Sequence, residues 1–347
     1  MSAPAETTTL PVPLSVLDVV PVTSAETAVD ALARAGRLAR HVDELGFRRI
    51  WYAEHHNMPG IGSTTPEVLT ANTAAITSRI RVGSGGVMLP NHSPLTVAER
   101  YATLEALHPG RIDLGIGRAP GTDMRTARAL RRSLDTGEDL DAQLAELMGY
   151  LAGFPAGHPL ERLRAYPRPG SLPQIVVLGS SDYGARLAAA LGLPYAFAHH
   201  FSSQFSVPAM RLYRDGYRPS AAHPTPHAIL TVTVVCAGTD EEALELASAW
   251  ALSFVRLRTG QPPSPFPTRE EVAAHEWTAG ERELADGILR AQAVGSPDTV
   301  RDKLLRLIEA TDADEVMVTT PVTDEEARHA SFRMVAELAE RQRQPSG

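Results

Sequence analysis

The chain has 347 residues, of which 43% are hydrophobic and 21% charged, which is ordinary for a globular enzyme. Its net charge of -8 argues against nucleic acid or an anionic membrane as the main partner. The single cysteine, Cys236, excludes an intrachain disulfide framework and a cysteine metal cluster. The N-terminus lacks a basic start, and no apolar stretch is long enough to span a bilayer, so we expect a cytoplasmic protein.

The first part of the chain predicts four strands that alternate with three helices. Short apolar runs bounded by turn residues are typical of buried strands, and apolar residues at helical spacing are typical of helices. Ser93 and Pro94 have the character of a helix N-cap and a first helical residue. After a start at 1–12 that we expect to be disordered, the predicted elements are strand 14–20, helix 28–45, strand 49–53, helix 65–78, strand 80–89, helix 94–107 and strand 111–115.

The second part continues the alternation but contains two proline-rich segments. Residues 154–173 hold five prolines and residues 259–267 hold four, so neither segment is expected to be regular. The other predicted elements are helix 139–151, strand 174–178, helix 182–191, strand 194–198, helix 207–216, strand 228–237, helix 241–257, helix 296–310, strand 315–319 and a last helix to residue 340, before a disordered tail at 342–347.

Eight strands that mostly alternate with helices, without a break in composition, indicate one α/β domain over residues 1–347. At this length the alternation predicts a single (β/α)8 TIM barrel with insertions. A doubly wound open sheet is the alternative. No GxGxxG opens the first helix, which counts against a Rossmann half.

Small residues interrupt the third predicted strand at Gly83, Ser84, Gly85 and Gly86. Such residues weaken a buried strand and pack little. One interpretation is a β-bulge without a ligand. The other is that something large and flat approaches the backbone closely.

In a barrel, the loops after the strands converge on one mouth, where such folds bind their ligands. This mouth is predicted to be rich in imidazole, with one arginine and a glycine-serine turn. The residues concerned are Glu54, His55, His56, Gly85, Gly86, Arg118, Gly179, Ser180, Ser181, His199 and His200.

The turn at Gly179, Ser180 and Ser181 leads directly into a helix. A phosphate fits the unpaired first amides of such a helix, and Arg118 would add further donors. A plain serine N-cap is the alternative interpretation.

His55 and His56 are adjacent residues at a strand end, so they point to opposite sides and rarely bind one ion. Because there is also no HExxH motif, we predict no metal site. One histidine facing the mouth, acting as acid, base or hydrogen-bond donor, is favoured. We expect the other, His56, to pack away from the mouth.

At these residues the sequence resembles the luciferase-like flavin monooxygenases, the family of bacterial luciferase. The resemblance runs from the first predicted strand to the last, and its matching stretches are WYAEHHNMPGIGSTTPEVL, RIRVGSGGVMLPNHSPLTVAER, HPGRIDLGIGRAPGTD, VVLGSSDYGARLAAALGLP, AFAHHF, VGSPDTV and DEVMVTT.

The resemblance implies a TIM barrel that binds reduced FMN at its mouth. A separate flavin reductase, a transient partner, would supply the reduced FMN, since this chain has no nicotinamide-binding fingerprint. Oxygen would add at the flavin C4a, and the hydroperoxide would oxidise a small organic substrate. The resemblance also implies a homodimer packed through the second and third helices.

Carried over by position, His55 resembles the family's active-site histidine near the flavin C4a. Gly85 and Gly86 lie where the family has a non-proline cis peptide beneath the isoalloxazine, and we expect two glycines there to avoid crowding the ring. Arg118 resembles the phosphate-binding arginine. The cofactor-binding residues implied in this way are Ser84, Gly85, Gly86, Arg118, Gly179, Ser180, Ser181, His199 and His200.

Three features depart from the family's pattern. Gly117 stands where luciferase has a reactive cysteine, so efficient light emission is not expected. Gly184 stands where relatives commonly offer a hydroxyl to the phosphate. The region 259–290, which corresponds to the luciferase lid, carries no motif and is where we expect substrate choice to be determined.

Three other functions remain open at this stage. One is hydride transfer with a deazaflavin coenzyme on the same fold. A second is a metal-dependent barrel hydrolase that uses Glu54, His55, His199 and His200. The third is a flavin-binding protein without catalysis.

Overall fold

A computed structural model describes residues 9–131 and 140–339. All strand pairings in its sheet are parallel, and β1 to β7 with β9 form a closed ring of eight in the order β1, β2, β3, β4, β5, β6, β7, β9. β8 pairs with β7 beyond this ring. The strands are β1 Leu14–Asp18, β2 Arg49–Tyr52, β3 Arg81–Met88, β4 Ile112–Gly117, β5 Gln174–Gly179, β6 Tyr195–Ala198, β7 Ala228–Cys236, β8 Ala293–Gly295 and β9 Glu315–Thr319.

Helices follow the strands and cover the ring, as expected for a (β/α)8 barrel, so the predicted fold class is confirmed. The helices are α1 Ala28–Leu45, α2 Pro66–Ile76, α3 Pro94–Leu107, α4 Met124–Ala129, α5 Leu140–Ala152, α6 Asp182–Leu191, α7 His199–Ser202, α8 Ser206–Gly216, α9 Asp240–Arg258, α10 Arg269–Ala273, α11 Ala279–Arg290, α12 Pro297–Thr311 and α13 Glu325–Glu337.

All eight predicted strands are present, but several short elements were missed. β8 has three residues, too few for a hydrophobic pattern to identify. α10 and α11 each begin with a capping box, in which Thr268 pairs with Glu271 and Thr278 with Glu281. This Thr-x-x-Glu spacing was readable in the sequence. The side chain of Ser93 makes no capping hydrogen bond, although α3 begins at Pro94 as predicted.

The ends of the chain are only partly described. Leu10 is buried, and its N–H donates to the Leu338 carbonyl at 2.8 Å, which differs from the disorder expected over residues 1–12. The remainder of the two expected disordered segments, residues 1–8 and 342–347, lies outside the described residues, as do positions 139 and 340 of two predicted helices. Within 9–131 and 140–339, no helix is long and apolar enough to cross a membrane.

Side chains from alternate strand positions build two apolar layers, one inside the ring and one beneath the helices. At the amino-terminal end of the ring, the buried Arg49 forms ion pairs with Asp113 at 2.9 Å and Glu315 at 2.8 Å. Burial raises the pKa of Glu315, but the charge of Arg49 and a hydrogen bond from His227 outweigh it and bring the pKa to about 2. This network fills the amino-terminal end of the barrel interior, and the cavity described below opens at the opposite end.

Candidate active site

A cavity of about 460 Å³ opens at the carboxyl ends of the ring strands. Every strand of the ring, or the residue directly after it, contributes to the lining, which is predominantly apolar. This volume falls within the range of typical ligand sites, roughly 300–1,000 Å³. Representative lining residues are Leu17, Gly85, Leu178, Ala196, Thr231 and Met317.

Residues 261–266, which follow α9, form a lid over this cavity. The N–H of Phe266 donates to the Val22 carbonyl at 2.8 Å, and the N–H of Ser24 donates to the Phe266 carbonyl at 3.1 Å. A β-carbon on Gly60 would lie 2.8 Å from the Ser264 carbonyl oxygen, so the lid packs directly on the loop after β2. The predicted lid region therefore covers the cavity in a docked position.

His55 lines the cavity, and its Nδ1 is buried without a hydrogen-bond partner among the residues described. Burial lowers the pKa of His55, and this outweighs the opposing effect of the Gly121 carbonyl, so the ring is neutral near pH 7. His56 turns away, and its Nε2 lies 2.8 Å from Oε1 of Glu54. The two neighbours point in different directions, as their alternation predicted.

Glu54 is a buried carboxylate that supports the mouth from behind the cavity. It accepts hydrogen bonds from the Met88 N–H at 2.9 Å and Asn91 Nδ2 at 3.1 Å, and His92 Nε2 lies 2.9 Å away. Burial raises its pKa, but bonds from His56 and His92 outweigh this and bring it to about 2. Asn91 and His92 were missed, although they follow the third predicted strand, where mouth residues are expected.

The peptide bond between Gly85 and Gly86 is cis, as the resemblance implied, and Gly85 lines the cavity. A β-carbon on Gly85 would lie 2.8 Å from Leu17 Cδ1 and 3.0 Å from Trp51 Cβ. On Gly86 it would lie 2.7 Å from the Gly115 carbonyl oxygen. Close packing of protein atoms therefore requires these glycines, and their role in avoiding a crowded ring stays a prediction.

Ser84 does not line the cavity, contrary to its prediction as a cofactor-binding residue. Its Oγ donates to the Gly115 carbonyl and accepts from the Gly115 N–H, both at 3.1 Å. Successive strand residues face opposite sides, so Gly85 faces inward and Ser84 outward. The pairing of β3 with β4 also shifts register between Ser84 and Val87, so the strand is irregular at these residues, as a β-bulge would make it.

Arg118, Gly179, Ser180 and Ser181 line one part of the same cavity, as predicted. The Arg118 guanidinium lies 4.1 Å from the centroid of the Tyr183 ring. The Ser181 side chain does not cap α6, which counts against the plain N-cap interpretation.

Asp182, the first residue of α6, carries a negative charge next to this turn. It is exposed and forms an ion pair with Arg186 at 3.5 Å along the surface of α6. Gly184 also lines the cavity, and a β-carbon there would approach Gly179 Cα at 3.3 Å.

Of the two histidines after β6, only His200 lines this cavity. Its Nδ1 lies 3.2 Å from the Thr231 carbonyl, and burial lowers its pKa to about 4. The carbonyl must accept, so we assign the proton of the neutral ring to Nδ1 and leave Nε2 as an acceptor. His199 packs elsewhere, with Nε2 at 2.9 Å from the Ala291 carbonyl and Nδ1 at 3.0 Å from Ser206 Oγ. The prediction that His199 borders the pocket is therefore wrong.

Within the described ranges, no group of three or more His, Cys, Asp or Glu side chains is placed to hold a metal ion. Glu54 is bonded to histidines behind the cavity, and His199 is bonded to Ser206. The four residues of the hydrolase alternative are therefore not brought together.

The family model for luciferase-like monooxygenases matches residues 14–315. A luciferase-like monooxygenase of Escherichia coli K12 is 40% identical over 330 residues, which cover 94% of this chain and 96% of the relative. The crystal structure of apo-MsnO8 is 39% identical, with a TM-score of 0.85, covering 94% of this chain and 97% of that one.

A more distant structure shares the fold. The oxygenating constituent of 3,6-diketocamphane monooxygenase from Pseudomonas putida, in complex with FMN, is 19% identical with a TM-score of 0.68. The match covers 95% of this chain and 98% of the chain in that structure. The barrel and the match to these relatives show that the protein is an oxidoreductase of the monooxygenase class. The chain belongs to the luciferase-like monooxygenase family.

Proposed function

We propose that this protein is a two-component, FMN-dependent monooxygenase that oxidises a small organic substrate. When bound and reduced, FMN would supply the electrons that activate O2. The observation that carries the proposal is one apolar cavity that combines a candidate anion site at Arg118 and Ser180 with an unpaired buried nitrogen on His55.

The residues of the α6 end suit the phosphate of FMN. The first N–H groups of α6 have no partner within the helix, and the helix dipole is positive there. Ser180 and Ser181 offer hydroxyls, and Arg118 offers a planar set of donors suited to an oxyanion. Tyr183, under the Arg118 guanidinium, would hold that side chain in place.

His55 would act at the reacting end. A neutral imidazole whose Nδ1 has no partner in the described part of the chain can hold or exchange a proton with the oxygen that reacts. His200 lies in α7, which directly follows β6, and β6 is four strands from β2 around the ring of eight, so the two imidazoles enter the cavity from opposite parts of the ring. Its Nε2, assigned as an acceptor, would bind a donor on the flavin or the substrate.

The lid and the apolar lining would exclude water. Activated oxygen chemistry needs a dry site, because water diverts reactive intermediates. Phe266 closes the lid through backbone hydrogen bonds to Val22 and Ser24, which can break and reform without a change in covalent structure. We propose that the lid opens for substrate and closes before oxidation.

We further propose a transient flavin reductase as partner, because the sequence carries no nicotinamide-binding fingerprint. A homodimer through α2 and α3 is supported by Val68 and Leu107, exposed apolar side chains on these helices. Absence of efficient light emission and a location in the cytoplasm remain predictions from the sequence.

The proposal can be tested with chemically reduced FMN and isotopically labelled O2, over a panel of organic substrates. We expect saturable binding of reduced FMN and labelled oxygen in one product. Binding of a reduced deazaflavin in place of FMN, with hydride transfer and no labelled product, would instead establish the deazaflavin alternative. Flavin oxidation without product over the whole panel would favour a non-catalytic role.

A further inference from the structure

The cavity is electrostatically unlike the rest of the protein. The chain has 41 acidic against 33 Lys and Arg residues, yet the cavity lining holds two arginines and, among the residues described, no Asp, Glu or Lys. A cationic lining in an acidic protein favours an anionic ligand. The phosphate proposed above would take Arg118, which leaves Arg256 without an assigned role.

Arg256 enters the cavity from α9, beside the aromatic cluster of Trp250, Phe254 and Phe266. The first lid residue, Gln261, lies three residues beyond the end of α9, and its N–H donates to the Arg256 carbonyl at 2.9 Å. The Arg256 side chain is half-buried under this cover. A charge at such a place interacts more strongly with a partner than one in open solvent.

Among the described residues, Arg256 has one carboxylate nearby, that of Glu271, but no direct bond to it. Within 9–131 and 140–339, no side chain forms a hydrogen bond or ion pair with its guanidinium. The carboxylate of Glu271 lies close enough to Arg256 for the two charges to interact. Hydrogen bonds from Ser24 and Thr268 lower the pKa of Glu271, and the charge of Arg256 lowers it further. That carboxylate is already bonded, at 2.7 Å to Ser24 Oγ and at 2.8 Å to the Thr268 N–H.

The two arginines enter the cavity from elements that follow different strands of the ring. Arg118 directly follows β4, and in the ring of eight the strand opposite β4 is β9. β9 lies between β7, which α9 follows, and β1, whose loop holds the end of the lid. We therefore assign the phosphate to Arg118 and treat Arg256 as a second anion site in the same cavity.

We propose that Arg256 is the substrate's anion anchor, and that the substrate is an organic acid with a carboxylate or sulfonate on an apolar body. This rests on the proposed function and adds the substrate class to it. The apolar body would lie against Trp250 and Met317, while its charged group binds the Arg256 guanidinium. The group to be oxidised would then lie away from the lid, toward His55.

Matched acid and alcohol ligands test this inference. Dissociation constants of decanoate against decanol, and of phenylbutyrate against phenylbutanol, are measured with saturating FMN on the wild type and on Arg256→Gln. We expect each acid to bind the wild type more tightly than its alcohol. The variant should bind the acids about tenfold or more weakly, the loss expected for one charged hydrogen bond, and both alcohols unchanged.

Two further variants separate the charge from general damage. Arg256→Lys keeps the charge and should keep most of the affinity for acids. Arg258→Gln is the control, because Arg258 does not line this cavity: it lines an adjoining one, where its Nη2 donates to the Phe201 carbonyl. It should bind all four ligands as the wild type does. An unchanged melting temperature verifies that each variant is folded.

Equal affinity of the wild type for acid and alcohol would refute the anchor, as would a parallel loss of both in Arg256→Gln. A loss of FMN affinity in that variant with unchanged acid binding would assign Arg256 to the phosphate site and also refute it. The proposed function is judged separately: failure of the wild type to bind FMN would refute that function, while the acid preference can still be measured without flavin.

Discussion

His92 Nε2 lies 2.9 Å from Oε1 of Glu54, and this contact joins the loop after β3 to the loop after β2. The same carboxylate also accepts from Met88, Asn91 and His56. Because His55 directly follows Glu54, these bonds fix the backbone from which His55 enters the cavity.

Replacing Glu54 by Gln should destabilise the protein by roughly 1.5–3 kcal/mol, the usual contribution of a hydrogen bond to a charged group. The pKa of Glu54 is lowered from 4.5 to about 2, so its contribution is complete above pH 4.5 and is lost as the pH falls toward 2. The stability difference between wild type and variant should therefore shrink over that range. Urea unfolding at neutral and acidic pH measures it, and a pH-independent difference would contradict the assignment.

Replacing His55 by Ala should abolish oxidation of the substrate and leave FMN affinity nearly unchanged, because the ring is assigned to the reacting oxygen and not to the phosphate. Single-turnover product formation and an FMN titration provide the two readouts. His56→Ala is the comparison: it removes one of the groups bonded to Glu54 but leaves the imidazole in the cavity, so product formation should be reduced in part and not abolished. Normal turnover in His55→Ala would refute its role.

Replacing Arg118 by Gln should weaken FMN binding by roughly 1.5–3 kcal/mol, as expected for loss of a charged hydrogen bond to phosphate. Calorimetric titration with FMN measures this. Arg186→Gln serves as the control, because Arg186 pairs with Asp182 on the outer surface of α6. Equal FMN affinities for wild type and Arg118→Gln would remove Arg118 from the phosphate site.

Replacing Gly60 by Ala should prevent the lid from docking, since the new β-carbon would lie 2.8 Å from the Ser264 carbonyl oxygen. We expect reduced flavin to be oxidised with less product per oxygen consumed, because water would reach the site. Gly280→Ala in α11 is the control, as nothing lies within 4 Å of a β-carbon there. An unchanged ratio of product to oxygen in Gly60→Ala would show that this packing does not control access.

The fold was predictable because strands and helices alternate with clear periodicities, and the mouth followed from the rule that strand ends converge. His55, Arg118 and the Ser180 turn were found in this way. Ser84 was misassigned because the side that a strand residue faces depends on register, and β3 shifts register at the glycines. His199 was misassigned because α7 starts at that residue and turns its side chain toward Ser206, which strand reasoning could not anticipate.

Asn91, His92 and Arg256 show a second limit of sequence reasoning. Each acts through residues distant in the sequence, so its role becomes visible only when the partners are in place. The hydrogen bonds to Glu54 from Asn91 and His92 join the loops after β2 and β3, so they could be identified only once both loops were in place. The role proposed for Arg256 could be inferred only from the full cavity lining. The informative feature is that the described lining residues include no carboxylate.

The central claim is that one cavity holds FMN with its phosphate at the α6 end and its ring at the Gly85 wall. A crystal structure of the protein with FMN tests it most directly. The account predicts a phosphate within about 3.2 Å of Arg118 and the serine turn, and an isoalloxazine ring against Gly85 beside His55. FMN bound outside this cavity, or a phosphate placed away from Arg118, would contradict it.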